Sequence, residues 1–149
     1  GGAVFVENDG ANFTDCSFNN NSASTGGAVF VKNDGANFTG CSFTNNSVDK
    51  EGGAVYIDGS GVSSFNNCSF TNNNASTGGA IYTKKDKTLI KDSKFTENNA
   101  TVGQAIKTEK DMSISNSEFM GNGEYCIDVK LGANVTTDNV LYGYSPGPK

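Results

Sequence analysis

The sequence predicts an all-β chain wound as a parallel β-helix, a solenoid of about six coils with roughly 25 residues in each. Three observations carry that reading. A phrase typified by residues 26–46, GGAVFVKNDGANFTGCSFTNN, recurs with openings at Gly1, Gly26, Gly52, Gly78, Gly103 and, much altered, Glu124, at spacings of 25, 26, 26, 25 and 21 residues. The phrase is filled by short alternating runs of Val, Ile, Phe, Tyr and Thr between Asn, Asp, Gly and Ser, which is strand and turn chemistry without a helical period. Copies laid over one another also give an outward column whose charge changes sign at every step. A repeat of this length suits three short strands and three corners. It buries its apolar face only against the coils above and below, and six coils about 4.8 Å apart make a rod roughly 25 to 30 Å tall.

The first strand supplies the inward pairs Val4/Val6, Val29/Val31, Val55/Ile57, Ile81/Thr83, Ile106/Thr108 and Ile127/Val129, nearly all β-branched. Between them the outward position reads Phe5, Phe30, Tyr56, Tyr82, Lys107, Asp128. Stacked rings offer rigid, amphipathic contact area, so Phe5, Phe30, Tyr56 and Tyr82 are the candidate contact surface for a ligand or partner, unless a loop or a second copy covers them. The next outward position is the charge ladder Glu7, Lys32, Asp58, Lys84, Glu109, Lys130. Opposite charges one strand apart attract and like charges repel, so in-register parallel stacking favours this alternation.

The chain then turns. NDG at Asn8–Gly10 and Asn33–Gly35 is tight-turn chemistry. A second strand follows, with inward columns Phe13, Phe38, Phe65, Ile90, Ile114, Val135 and, five residues on, Phe18, Phe43, Phe70, Phe95, Phe119, Val140. Two residues before the second column a small-residue ladder runs Cys16, Cys41, Cys68, Ser93, Ser117, Asp138. Three residues after it stand Asn21, Asn46, Asn73, Asn98 and Asn122, an asparagine ladder whose amides bond to the copies above and below and close a corner. The glycine pairs mark the last corner, where the backbone takes positive φ or packs closely.

Composition agrees with one solenoid domain, 1–144, followed by a tail or linker at 145–149, SPGPK, which holds both prolines. The chain lacks an initiator methionine and opens on a repeat boundary without a cap, as expected of a processed product or a piece of a longer array. Net charge is −5, every basic residue is lysine, and the lysines are scattered along the sequence, so no basic stripe for nucleic acid is expected. No run is long and apolar enough for membrane insertion, and no stretch of the sequence is expected to act as a signal peptide. Histidine and arginine are absent and carboxylates recur singly in a column, so no constellation for acid–base catalysis is expected, and the chain reads as no enzyme. No metal site or cofactor is expected either, since Asp and Asn lack the spacing of a calcium loop and the cysteines lack a close pair. The stacked Cys16, Cys41 and Cys68 come close enough for a disulfide, but parallel side chains point badly for it, and they read as buried free thiols; Cys126 stands where other coils carry Ala. Asn-x-Ser/Thr begins at Asn12, Asn20, Asn37, Asn45, Asn67, Asn74, Asn99 and Asn134. That pattern marks glycan acceptors in an exporting host, and it also arises by chance in a chain this rich in Asn, Ser and Thr.

GGA followed by Val or Ile and then Phe-x-x-Asn, as in Gly26–Val29 and Phe43–Asn46, resembles the repeat of the chlamydial polymorphic outer-membrane proteins. The fuller wording CSFTNN...GGAVY is still more similar to adhesin-like surface proteins of methanogenic archaea. The resemblance covers residues 1 to about 122 well. It implies a right-handed parallel β-helix on the exterior of an archaeal cell, serving structural display and attachment to a cell-surface glycan or protein. The alternative is the building block of a self-stacking extracellular filament whose partners are other copies or further repeats, favoured by the uncapped first coil and the complementary charges. A polysaccharide-binding module is the minor alternative.

Overall fold

The computed structural model describes residues 1–8, 10–84 and 87–143. The expected tail at 145–149 and Asp9 of the first NDG turn lie outside them. Among the described residues there is no helix, and the strands stack in parallel. The first side is a six-stranded sheet in the order β1 (Val4–Val6), β5 (Val29–Val31), β9 (Val55–Ile57), β12 (Ile81–Thr83), β15 (Ile106–Thr108) and β17 (Ile127–Val129). The second side bends in the middle. One half carries β2 (Ala11–Thr14), β6 (Ala36–Thr39), β10 (Val62–Asn66) and β13 (Lys87–Lys91), and the other carries β3 (Ser17–Asn19), β7 (Ser42–Thr44), β11 (Ser69–Thr71) and β14 (Lys94–Thr96). The long β16 (Met112–Met120) and β18 (Val135–Gly143) run through both halves and join them. The third side is slight: β4 (Ser22–Thr25) pairs with β8 (Ser47–Glu51), and isolated bridges at Asn74, Thr77, Asn99 and Val102 continue the stack. The repeated phrases form six levels on the first side and close about five full turns, slightly fewer than a count of openings suggests.

The inward columns form the core. Phe38, Phe43, Phe70 and Phe95 are fully buried and lie face to face with the rings above and below, and Phe65, also fully buried, stacks on Phe38 and pairs with Ile90 on its other side. Centroid separations run from 4.6 to 5.0 Å along both columns. Within a coil the two columns meet edge-on, as in Phe38 against Phe43 at 5.7 Å and 68°. Offset and edge geometries both suit the ring quadrupole, and each buried ring contributes about 1.5–3 kcal/mol of transfer free energy besides.

Each coil turns through backbone in the left-handed region. One corner column reads Asp15, Gly40, Asn67, Asp92, Asn116, Asn139 and the next Asn20, Asn45, Asn72, Glu97, Gly121, all with positive φ. Asn, Asp and Gly tolerate that conformation best, and their interchange in one column is the signature of it. The glycine pairs divide two tasks. The first member, Gly26, Gly52, Gly78 or Gly103, has positive φ, whereas the second lacks space: a Cβ on Gly53 would lie 1.9 Å from the Gly79 carbonyl oxygen of the next coil. Gln104 replaces that second glycine where the following coil is altered, and its side-chain oxygen accepts a hydrogen bond from the Tyr125 amide at 2.9 Å. In the NDG turn at Asn33–Gly35 the glycine does not take positive φ; there a Cβ on Gly35 would meet the Val62 carbonyl oxygen at 2.2 Å.

The last coil differs from expectation. Ile127 and Val129 fall where predicted, opposite Ile106 and Thr108. Val135, however, pairs with Met112 and not Ile114, Val140 with Ser117 and not Phe119, and Asp138 with Ser115 and not Ser117. Tyr142 ends the second phenylalanine column, its ring 5.4 Å from that of Phe119. The loop after β17 is two residues longer than the level below requires, since the pairing offset grows from 21 residues at Ile106/Ile127 to 23 at Met112/Val135.

Candidate functional site

The middle residue of each first-side strand points away from the core, and pairing sets these residues in one row: Phe5, Phe30, Tyr56, Tyr82, Lys107, Asp128. The rings touch in sequence, Phe5 to Phe30 at 5.2 Å, Phe30 to Tyr56 at 4.9 Å and Tyr56 to Tyr82 at 5.3 Å. An ion pair between Lys107 and Asp128 continues the row. Its accessible part is narrower than the sequence suggests. Phe5 is 54% exposed and Phe30 is half-buried, but Tyr56 and Tyr82 are only 4% and 7% exposed. Tyr56 is packed between Phe30 and Tyr82, and Tyr82 lies against Tyr56 with its hydroxyl on Glu109. Of the four candidate contact residues, Tyr56 and Tyr82 are buried, and the open surface is at Phe5 and Phe30.

Beside the row runs the charge ladder. Lys32 lies 3.5 Å from Glu7, and Lys130 lies 3.1 Å from Glu109. Asp58 and Lys84 stand between, on the levels of β9 and β12. Tyr82 donates its hydroxyl to the Glu109 carboxylate. Burial pushes Glu109 up, but the hydrogen bonds from Tyr82 and Lys130 and the charges of Lys130 and Lys84 outweigh it, leaving the carboxyl below its ordinary value. Burial, with the acceptor Glu109 beside it, raises the Tyr82 phenol, and burial with the charges of Glu51, Asp58 and Glu109 raises Tyr56. Both phenols stay neutral across the physiological range. They act as hydrogen-bond donors and packing surface.

The asparagine ladder is saturated in the middle. Asn73 donates its two amide hydrogens to the Phe43 carbonyl and to Asn98 Oδ1, and its own Oδ1 accepts from the backbone and side-chain amides of Asn46, every distance 3.0 Å. Asn46 and Asn98 repeat the pattern, Asn21 opens it and Asn122 receives from Asn98. These residues and the columns Phe18, Phe43, Phe70, Phe95 and Phe119 face inward, so they hold the row in place and do not contact a ligand. Shorter ladders on the outer surface, Asn8 to Asn33, Asn12 to Asn37, Asn74 to Asn99 and Asn116 to Asn139, were not anticipated; an Asn recurring at one register is the signal for them. All eight acceptor asparagines of the Asn-x-Ser/Thr triplets are exposed, and none belongs to the buried ladder.

Cys16, Cys41, Cys68 and Cys126 are free thiols. Cys41 and Cys68 donate to carbonyls, among them Phe13 and Phe38 of the preceding coil, at 3.4 Å. Among the described residues no group of three Cys, Asp or Glu side chains is placed to hold a metal, and no helix is long and apolar enough to cross a membrane.

A family model described as a right handed beta helix region matches residues 2–146, almost the whole chain. No curated protein and no solved structure shows a significant match.

Proposed function

Because the chain belongs to the family of right-handed β-helix regions, a fold that serves enzymes and non-enzymes alike and leaves function to its outward side chains, we propose that it is a non-catalytic, extracellular repeat domain of adhesin type. It displays its surface on a cell exterior and attaches to a glycan or protein, as the resemblance to adhesin-like archaeal surface proteins and chlamydial outer-membrane proteins implies. One observation supports this reading most. Interior columns repeat with little change from coil to coil and are saturated by contacts within the stack, whereas the outward row changes in residue type along the axis and keeps the Phe5 and Phe30 rings accessible.

Attachment is tested by coating beads with the purified chain and measuring retention on glycan arrays and on cell surfaces. Substitution of Phe5 and Phe30 by alanine should abolish retention, while Tyr142→Ala, on another side, should not. Retention that survives loss of both rings removes this row from the reading. Electron microscopy across a concentration range, with light scattering alongside, reads the self-stacking alternative: filaments of uniform width would replace attachment by assembly as the function.

A further inference from the structure

The lysines that are scattered in sequence gather in the fold. A cleft of about 760 Å³ opens along the corner between the first and second sides and spans four levels, from Ser60–Val62 to Lys130–Ala133. Three strand steps give it a length of about 14 Å, and its volume is that of a small-molecule or oligomer site. Lys84, Lys87, Lys110 and Lys130 line it together with Glu109 and Asp111. Among the described residues of the lining, four cations against two acids leave a local charge of +2 within a chain of net −5.

Both acids already have donors. Glu109 accepts from Tyr82 and Lys130, and Asp111 accepts from the Asn134 amide at 2.9 Å. Lys84, Lys87 and Lys110 are exposed, and their ammonium groups make no hydrogen bond or ion pair with a described residue. Lys84 and Lys87 stand on one level and Lys110 on the next. Although Lys84 also feels the charge of Glu109, three ammonium groups gathered on two adjacent levels of one cleft repel each other and favour an anion between them.

We propose that this corner cleft binds a linear anionic polysaccharide, carboxylated or sulfated, with its charged groups at Lys84, Lys87 and Lys110. The site gives a ligand class to the attachment reading and rests on it for its biological setting, although binding itself is a property of the cleft. Two lysines on one level and a third one strand step along present point charges on flexible stems, which suits anions repeated along a chain and does not demand the planar, two-pronged geometry that arginine would impose. Val62 and Leu131, 52% and 101% exposed, add apolar wall for the C–H faces of sugar rings. Among its described residues the lining holds no aromatic ring on which a base could stack, which separates this ligand from single-stranded nucleic acid.

The test is calorimetric or fluorescence titration of the purified chain with soluble polygalacturonate and with dextran sulfate, against neutral dextran and single-stranded DNA. Binding to one or both acidic polysaccharides but not to dextran is expected, with preference between the two distinguishing carboxylate from sulfate recognition. Affinity should fall with salt at a log–log slope of about −2 to −3 if three lysines release counterions. Combined Lys84→Ala, Lys87→Ala and Lys110→Ala should weaken binding by about tenfold or more, with the circular dichroism spectrum unchanged. The control set Lys32→Ala, Lys50→Ala and Lys94→Ala, away from the cleft, should leave affinity intact. Absence of binding, equal loss in the control set, or DNA binding at least as tight as polysaccharide binding would each overturn the proposal. Because the ligands are soluble, a negative bead-retention result does not decide this one, nor the reverse.

Discussion

Replacing Asn73 by alanine removes four hydrogen bonds at a fully buried position, the two it donates to Phe43 and Asn98 and the two it accepts from Asn46. Its backbone amide keeps Asn98 Oδ1 as acceptor. At about 1 kcal/mol net per bond the loss is about 4 kcal/mol. The Asn46 backbone and side-chain N–H groups are also left without an acceptor, at roughly 1–3 kcal/mol each unless water enters. Those contributions reach roughly 6–10 kcal/mol as an upper bound, and with water entry and relaxation recovering part of it a loss of about 3–5 kcal/mol is expected. Asn21→Ala, at the half-buried start of the ladder, loses only the bond from its side chain to Asn46 Oδ1 and should cost about 1 kcal/mol. Urea unfolding followed by circular dichroism compares the two. Hydrogen exchange at the Asn46 amide gives a local readout, because that amide loses its acceptor only in the Asn73 variant. Equal costs, or unchanged protection of Asn46, would refute the saturated ladder as a source of stability.

Gly53→Ala should destabilise by about 1–3 kcal/mol through overpacking, since the new Cβ lands 1.9 Å from the Gly79 carbonyl oxygen, whereas Gly10→Ala, whose Cβ meets nothing nearer than 3.1 Å, should be close to neutral in the same unfolding assay. Burial pushes the Cys68 thiol up to about 11 and raises Cys41 as well, so alkylation of the folded chain at mildly basic pH should modify Cys16 first and Cys68 last, and urea should erase the order; prompt labelling of Cys68 in the folded chain would contradict its burial. Glu109 has its folded pKa held below the unfolded one, so its stabilisation is present above the ordinary carboxylate range and is lost as pH falls through the folded value. Glu109→Gln should accordingly lower the urea midpoint at neutral pH, with the difference from the parent closing in acid; a gap that stays constant with pH would assign the effect to something other than ionisation.

Most of the fold was legible because the repeat restates each position several times. Phe18, Phe43, Phe70, Phe95 and Phe119 stand in one sequence column and in one physical stack, and the asparagine ladder follows from the same alignment. The last coil was misaligned by two residues for a definite reason. A one-residue slip turns every side chain to the other face, but a two-residue slip preserves the inside-outside pattern. Val135 and Val140 look equally well placed in either register, and only the hydrogen-bonded pairing of β18 with β16 separates them.

Function was less legible, because exposure and proximity belong to the assembled surface. The sequence alone determined which strand positions face outward and therefore named the row Phe5, Phe30, Tyr56, Tyr82. How much of that row water reaches depends on what the fold packs around each ring, and it leaves Tyr56 and Tyr82 buried. Lys84, Lys87, Lys110 and Lys130 look dispersed along the chain, spread over 47 positions. Winding brings them to one corner, since each coil returns the chain to the same edge one strand step further along the axis. Periodicity encodes the face a residue occupies, while the local length of each loop decides what stands next to it.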